Sequence, residues 1–506
     1  MVRNAHVEQV LDQAQLQQVR HYIKQGWTIL CRSNLTLLQS ALDTKVGQSG
    51  QLILYIARSE DPQQIRAQLQ QQFTTEELAR VEIRQVPENP ETIKEAGLLY
   101  LPYPYIVPGG RFNEMYGWDS YFTLLGLVRD GELDLAKNMT DNCIYEIKHY
   151  GKILNANRTY YLTRSQPPFL TQMILEVFNR TEDIQWLQST LPAIEQYYHY
   201  WVSEPHLTAT TGLSRYHGGA STPAPEAVYG ERDQQGKTHY DRVREYYHTH
   251  SVHEYDATRY YDKVADQLSP DFYVGDRAVR ESGFDPADRF GPFSADIIHY
   301  NPVDLNSLLY QMEVDIATIF TRLGHSRPAQ VWQDRAQLRA AMLNRLMWNE
   351  EAGLYFDYNF ELQRPSSYRF ITTFYPLWAG IATIEQASKV VENLPIFEQR
   401  GGLQMSDSVT GKQWDAPFGW APTQIIAIGG LRRYGFHEAA DRISLKFLTM
   451  ILQDFAIHGT LKEKYNVVTG QSDLAADLKF GYTSNEVGFG WTNAAFTLLY
   501  EQLRAG

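Results

Sequence analysis

PGGRFNEMYGWDSYF, residues 108–122, is the stretch on which the interpretation of this chain rests. The Pro-Gly-Gly start indicates a loop, because glycine adopts backbone angles that other residues avoid and lets a ligand approach the chain. Arg111 and Asp119 offer charged hydrogen-bonding groups beside the flat ring of Trp118. This mixture suits a sugar, which has apolar C–H faces and a rim of hydroxyls. A buried Arg–Asp pair in an aromatic core is the alternative interpretation.

Three more stretches of this kind follow along the chain: ESGFDPADRF at 281–290, QWDAPFGWAPTQ at 413–424 and GFGWTNA at 488–494. Together with the first stretch, and in the same order, they resemble the signatures of the trehalases, glycoside hydrolase family 37. The resemblance extends over roughly residues 95–503. It implies a mainly α-helical fold, an (α/α)6 barrel, and the activity of an inverting α-glucosidase.

Composition excludes several other classes of protein. The chain has 506 residues and a net charge of −13, which argues against nucleic acid or an anionic membrane as a partner. Two cysteines, Cys31 and Cys143, are too few for a disulfide framework and fit a reducing compartment. The N-terminus has no apolar run typical of a signal peptide, and no stretch is apolar enough to span a membrane. We therefore expect a cytoplasmic protein.

The first 90 residues differ from the rest of the chain. Residues 6–24 have helical spacing, and short apolar runs at 28–31, 52–57 and 81–86 alternate with helical patterns at 35–42 and 62–73. Strands that alternate with helices predict a small α/β domain at 1–90, before a barrel domain at 91–506. We interpret it as a packing or assembly domain, with a regulatory ligand domain as the alternative. The sequence does not give the oligomeric state, and a homo-oligomer is compatible with it.

Helical periods dominate after residue 119. Pairs of helices are predicted at 119–131 and 132–151, at 166–180 and 183–203, at 302–323 and 328–348, and at 371–394, 420–434, 436–455 and 490–503. In residues 302–323, Pro302 marks the start of a helix that carries one broad apolar stripe. Repeated helix pairs fit either an open solenoid or a closed ring, and the family resemblance implies the closed ring.

One connection between helices is exceptionally long. Residues 204–300 read as an irregular span, and loops of this length are commonly functional or mobile. His248, His250 and His253 lie in it and could be read as metal ligands. No third or fourth partner with suitable spacing is evident, so we favour a lid over the sugar site. We expect neither a metal nor an organic cofactor.

Hydrolysis of a glycoside with inversion requires a carboxylic acid and a carboxylate base, about 6.5–9.5 Å apart. By resemblance, Asp285 in ESGFD is the general acid, although Asp before Pro also commonly starts a turn. Glu463 in LKEKYNVVTG matches the family's catalytic glutamate, although LKEK would otherwise read as a charged surface run. Glu486, two residues before GFGWTNA, is the rival base.

The remaining matches would grip the glucosyl ring. The resemblance implies that these residues bind the substrate. For two of them, Asn155 and Arg164, a purely structural interpretation is also available, because both lie in a turn. The full set is Arg111, Trp118, Asp119, Asn155, Arg164, Glu226, Gln413 and Trp414.

Two departures from the family pattern affect the second sugar. Ala224-Pro225-Glu226 stands where trehalases carry Arg-Pro-Glu, and residues 471–487 lack the family's glycine run and its Glu-Tyr-Pro. A rebuilt leaving-group site should bind a second sugar less well. We therefore expect hydrolysis of a smaller α-glucoside, 2-O-α-glucosylglycerol. The alternatives are a trehalase whose lid contacts the second sugar, a non-catalytic sugar sensor, and a phosphorylase.

Overall fold

The computed structural model describes residues 11–41, 43, 52–71, 73–230, 232–233, 235–474, 477–481 and 484–505. The predicted helical segment at 6–24 therefore lies partly outside the described residues. The main secondary structure of the described chain is α-helix. The helices are Gln13–Leu30, Leu37–Ala41, Pro62–Gln70, Thr75–Ala79, Gly117–Asp130, Leu133–Tyr150, Leu170–Thr181, Ile184–Trp201, Pro225–Val228, His239–Thr249, Pro270–Ser282, Val303–Arg322, Ser326–Leu346, Tyr375–Ala379, Ile384–Glu392, Ala421–Arg433, His437–His458 and Gly490–Ala505.

Strands are short and join in small sheets. Several form antiparallel hairpins or ribbons between the helices, and a longer set forms the N-terminal sheet. Their bounds are Cys31–Arg32, Leu52–Ile56, Val81–Gln85, Leu98–Leu99, Tyr105–Ile106, Leu207–Thr208, Leu213–Ser214, Tyr261–Asp262, Gln267–Leu268, Tyr300–Asn301, Trp348–Asn349, Leu354–Tyr355, Tyr358–Asn359, Arg364–Pro365, Glu398–Gln399, Gly402–Leu403, Phe418–Trp420 and Lys464–Asn466.

Within the described residues, six helices pack side by side in a closed inner ring. In order around the ring they are Gly117–Asp130, Leu170–Thr181, Val303–Arg322, Tyr375–Ala379, Ala421–Arg433 and Gly490–Ala505, and the last packs against the first. Helix Val303–Arg322 is buried on nearly every side, as an inner helix must be. The ring closes, so the predicted (α/α)6 barrel is confirmed and the open solenoid is excluded.

Outer helices cover this ring and present their polar faces to solvent. Five of those in the described chain follow their inner partner directly: Leu133–Tyr150, Ile184–Trp201, Ser326–Leu346, Ile384–Glu392 and His437–His458. Predicted helix 371–394 is interrupted by Gly380, where the backbone takes a φ of +84°, so that an inner and an outer helix lie on either side of the break.

The sixth outer position is filled from the other end of the chain. Helix Gln13–Leu30 packs against His437–His458 and Gly490–Ala505. Its buried residues, among them Val19 and Trp27, belong to the same apolar core as the barrel helices. The division of the chain at residue 90 stays a prediction, but this N-terminal helix supports the barrel directly.

The α/β unit that follows this helix has a core of its own. Strand Leu52–Ile56 lies between Val81–Gln85 and Leu98–Leu99 and is parallel to both. Parallel pairing needs crossover connections, which Pro62–Gln70 and Thr75–Ala79 help to provide. At its edge, Leu99 N–H donates to the Asn157 carbonyl over 2.8 Å. The sheet is thus continuous with a loop of the barrel.

The expectation that residues 204–300 are irregular is wrong. The segment contains helices Pro225–Val228, His239–Thr249 and Pro270–Ser282 and two short hairpins. Helix His239–Thr249, called the insert helix below, begins with a capping box between Thr238 and Asp241. Its sequence HYDRVREYYHT carries few aliphatic residues, which is why its periodicity is weak. It is held by tyrosine packing against a separate small core.

Candidate active site

One cavity of about 370 Å³ brings the four sequence motifs together. It receives side chains from the loops before and after the inner helices and from the insert helix. Of the sequence-predicted residues, eight line it: Arg111, Trp118, Asp119, Glu226, Asp285, Gln413, Trp414 and Glu463. Asn155 and Arg164 do not lie in its lining. The cavity is of the size that small ligands occupy.

Asp285 follows the end of helix Pro270–Ser282. Gly283 ends that helix with a φ of +77°, and a Cβ there would meet the Trp118 ring at 2.9 Å, so only glycine fits. Burial raises the pKa of Asp285 to about 7, against the opposing pull of Arg280 and Arg164. A carboxyl group with this pKa is protonated to a large extent at neutral pH and can act as a general acid.

The second signature holds the loop that carries Asp285. Gln413 Nε2 donates to the main-chain carbonyl of Asp285 over 2.6 Å, and Trp414 N–H donates to the Pro286 carbonyl over 3.2 Å. One residue further on, the Asp415 carboxylate accepts the N–H of Asp288 over 2.8 Å. These contacts place residues 413–415 as a clamp on the acid loop, and they explain why the two motifs occur together.

Glu463 is fixed by its backbone and is almost fully buried. Its N–H donates to the Glu486 carbonyl over 2.9 Å, and its own carbonyl accepts from Trp491 Nε1 over 3.0 Å. The Lys464 ammonium lies 3.1 Å from Glu463 Oε2. The next residues pair as an antiparallel strand with Phe418–Trp420 of the second signature. The carboxylate thus reaches the cavity from a rigid frame.

Glu486, the rival for the role of base, is used differently. Its Oε1 lies 3.1 Å from Arg111 Nε in a salt bridge. Among the described residues it is absent from the cavity lining, whereas Glu463 belongs to it. The geometry therefore favours Glu463 over Glu486.

Aromatic rings form the apolar side of the cavity. The rings of Trp414 and Trp420 stack with centroids 3.8 Å apart and planes 5° from parallel. Trp118 meets Trp491 and Phe284 edge to face. Such faces suit the C–H side of a pyranose ring. The stretch 108–122 thus contributes to an aromatic pocket, with Asp119 at the cavity wall.

Asn155 and Arg164 act behind the cavity. Arg164 Nη2 donates to Asn155 Oδ1 over 3.1 Å and also to Glu226 Oε1. Glu226 itself lines the cavity. Through these contacts Asn155 and Arg164 position Glu226 and do not themselves face the cavity, and their assignment to substrate binding stays a prediction.

Sequence reasoning missed Arg280, the residue directly before the Glu281-Ser282-Gly283 match. Its Nη1 lies 3.5 Å from Asp285 Oδ2 and 4.0 Å from Glu226 Oε1. Arg280 thus places a guanidinium beside the acid. An arginine next to a matched catalytic motif was the available signal.

The segment at residues 204–300 also contributes groups that the sequence did not predict. Tyr229, His239 and Arg242 all line the cavity. His248, His250 and His253, by contrast, are exposed. Across the described part of the chain, no group of three or more His, Cys, Asp or Glu side chains is arranged to hold a metal ion. The described helices also include none long and apolar enough to cross a membrane.

Comparisons with known proteins agree with this geometry. A family model described as Trehalase matches residues 6–503. Cytosolic neutral trehalase of Neurospora crassa is 40% identical over 437 residues, which cover 78% of this chain and 57% of that protein. The chain thus spans little more than half the length of the curated relatives that it matches.

Solved structures give the same result. Neutral trehalase from Saccharomyces cerevisiae superposes with a TM-score of 0.79 and 34% identity, covering 97% of this chain and 95% of that one. The mannosylglycerate hydrolase of family GH63 from Thermus thermophilus gives a TM-score of 0.53 at 18% identity, and the match covers 78% of this chain and 95% of that one. This second likeness concerns the fold alone.

Proposed function

This chain belongs to the trehalase family, and from that premise we propose that it is an inverting α-glucosidase that hydrolyses trehalose to two molecules of glucose. The observation that carries the proposal is the pairing of Asp285 and Glu463 in one cavity. The pKa of Asp285 is raised to about 7 by burial. One carboxyl group can therefore donate a proton while the other accepts one.

The reaction follows from these roles. Asp285 donates its proton to the glycosidic oxygen as the bond from that oxygen to C1 breaks. Glu463 takes a proton from water, whose oxygen bonds to C1 from the opposite face. One glucose leaves with the proton of Asp285, and the other carries the hydroxyl from water. Exchange of protons with solvent returns both carboxyl groups to their starting state.

The glucosyl ring is held by the first two signatures in this proposal. Trp118 and Trp414 contribute aromatic rings to the cavity wall, and Arg111, Asp119 and Gln413 contribute hydrogen-bonding groups to the same wall. Held in this way, the sugar would keep its C1 between the acid and the base, and such orientation supplies a large share of catalysis.

Trehalose is favoured over 2-O-α-glucosylglycerol by two observations. The two relatives above that share more than 30% identity with this chain are both named trehalases, and neither name supports the smaller substrate. The cavity also receives Tyr229, His239 and Arg242, polar groups that can meet the hydroxyls of a second sugar. In this proposal, these three groups of the segment 204–300 take the place of the second-sugar contacts expected to be lost at Ala224 and 471–487, as in the trehalase alternative.

The cellular compartment in which the enzyme acts is part of the same proposal. Relatives from several fungi are named cytosolic. The chain carries two free cysteines, Cys31 and Cys143, among the described residues, as expected where thiols stay reduced. We infer that this enzyme also acts in the cytoplasm.

Glucose release from trehalose and from 2-O-α-glucosylglycerol, measured side by side at neutral pH, tests the proposal. The matched control is Asp285→Asn, which keeps the shape of the site and removes the acid. We expect a higher kcat/KM for trehalose and loss of activity in the control. A higher kcat/KM for glucosylglycerol would reverse the substrate assignment. Sugar binding without hydrolysis of either substrate would support the sensor alternative instead.

A further inference from the structure

Asp276 is a buried carboxylate that the proposed reaction does not use. It lies on helix Pro270–Ser282, one turn before Arg280. Arg280 Nε lies 2.9 Å from Asp276 Oδ2, and Arg280 Nη2 lies 3.2 Å from Asp276 Oδ1. Two parallel bonds of this kind fix a guanidinium in orientation as well as in position.

This grip leaves a single nitrogen of Arg280 for the active site. With one edge of the guanidinium bound to Asp276, Nη1 lies 3.5 Å from Asp285 Oδ2 and 4.0 Å from Glu226 Oε1. A strong charge-assisted bond is shorter, about 2.7–2.9 Å. Arg280 is therefore near the acid without forming a close two-bond pair with it.

The insert helix completes the arrangement. Tyr240 OH donates to Asp276 Oδ2 over 2.7 Å and accepts the Ala224 N–H over 2.8 Å. His239 Nε2 lies 3.8 Å from Asp276 Oδ1. Asp276 thus joins the insert helix to the helix that precedes the acid.

We propose that Asp276 is a positioning residue: by holding one edge of the Arg280 guanidinium, it prevents Arg280 from closing on Asp285 and so keeps the acid protonated. The proposal rests on the assignment of Asp285 as general acid. A free guanidinium beside a carboxyl group forms a paired carboxylate, which holds no proton to donate.

The charges around the two carboxyl groups agree with this role. Arg280, Arg164, Asp276 and Glu226 face Asp285, where burial raises the pKa, the arginines oppose the rise and the carboxylates add to it. Burial alone would raise the pKa of Asp276 too, but Arg280 and His239 hold it well below its usual range. Asp276 is therefore a permanent anion at neutral pH.

Two further cations lie nearby. Arg277, on the same helix, donates to the carbonyls of Thr222 and Pro223. Arg242, on the insert helix, donates to the carbonyl of Lys479 over 3.0 Å. Their partners in these contacts lie elsewhere, so Arg280 is the cation that Asp276 controls.

The test follows the titration of the Asp285 carboxyl itself. The probe is the 13C carboxyl signal of protein labelled at aspartate, assigned by its loss in Asp285→Asn. In Asp276→Asn, we expect the pKa of Asp285 to fall by about one unit or more, because Arg280 is released. In Arg280→Gln, we expect a rise instead. The alkaline limb of kcat against pH should move with each change.

A double variant separates action through Arg280 from direct charge. In the Arg280→Gln background, Asp276→Asn should shift the titration of Asp285 by less than about half as much as it does alone. Glu313→Gln is the matched control, because Glu313 is likewise buried and accepts from Arg339 and from Tyr198 OH, outside the cavity lining. It should lower stability without moving the titration.

An unchanged or raised pKa of Asp285 in folded Asp276→Asn would overturn the proposal, even if kcat falls. Should that variant not fold, Asp276→Glu decides, because it keeps the charge and displaces the carboxylate that holds Arg280. A fall in the pKa of Asp285 supports the proposal, and no change overturns it. The titration needs no turnover, so it is independent of the proposed function. That function fails separately if the unaltered protein hydrolyses neither trehalose nor glucosylglycerol.

Discussion

Replacing Asp285 with asparagine should abolish the protonation step and leave the shape of the site intact. General acid catalysis typically contributes about 10²–10⁴-fold, so kcat for trehalose should fall by that factor. The loss should depend on the leaving group. α-Glucosyl fluoride releases fluoride, which needs no proton to depart, so its hydrolysis should fall by less than about tenfold. The pKa of Asp285, about 7, also places the alkaline limb of the unaltered enzyme near neutral pH.

The same substitution has a predicted effect on stability. The pKa of Asp285 rises from an ordinary 3.8 to about 7 through burial. The folded state therefore binds the proton more tightly than the unfolded state, and stability is lost as pH rises from about 4 through 7. The full difference corresponds to roughly 4 kcal/mol. Because 22% of the side chain is exposed, we expect about 2 kcal/mol of stabilisation in the variant at pH 8.

Two measurements check this prediction. Steady-state rates on trehalose and on α-glucosyl fluoride, from pH 5 to about 9, give the dependence on the leaving group and the alkaline limb. Denaturant unfolding at pH 5 and at about pH 8 gives the change in the free energy of unfolding. Equal losses on both substrates, or an alkaline limb that persists in Asp285→Asn, would refute the assignment of Asp285 as the acid.

Three further predictions concern the base, the loop that carries the acid, and the N-terminal helix. Glu463→Gln should lower the rates on trehalose and on α-glucosyl fluoride by similar factors of about 10² or more, because water activation is needed for both. Steady-state rates on both substrates check this prediction, and a loss confined to trehalose would contradict it. Gln413→Ala removes the 2.6 Å bond to the Asp285 carbonyl and should lower kcat about tenfold, since misplacement of the acid affects the chemical step. An unchanged kcat, with an increase in KM alone, would oppose the placing role and leave only the contact with the sugar. Trp27→Ala should lower the free energy of unfolding, measured with denaturant, by about 3–5 kcal/mol. Trp27 is 2% exposed, and its Nε1 donates to Asp130 over 2.7 Å. Ile29→Ala, on the same helix and 69% exposed, is the control, and an equal loss in both variants would contradict the placement of the helix.

The parts of this molecule that the sequence predicts well are those with strong local signals. Helix Val303–Arg322 is marked by Pro302 and a broad apolar stripe, and the structure begins it one residue later. The motifs at 108–122, 281–290 and 413–424 combine rings, carboxyl groups and turns in patterns too specific for an ordinary core. Their convergence on one cavity follows from the barrel, because loops at one end of a ring of helices meet.

The features missed depend on contacts between distant residues. Arg280 adjoins a matched motif in the sequence, but its place beside Asp285 appears only when the helix before the acid is built. The insert helix is stabilised by tyrosines that pack on Phe272 and Phe293, so its own periodicity is weak. The sequence assigns helix Gln13–Leu30 to an N-terminal unit, whereas it packs on the barrel. Position along the chain does not show which helices will be neighbours.

The anomers of the first glucose released from trehalose test the central claim most directly. Both C1 atoms of trehalose are α, so inversion at one of them gives one β-glucose and one α-glucose per bond cleaved. Proton NMR within the first minutes, before mutarotation, should show the two anomers in equal amounts, and none should appear with Asp285→Asn. Release of α-glucose alone would mean retention of configuration and would contradict the roles assigned to Asp285 and Glu463.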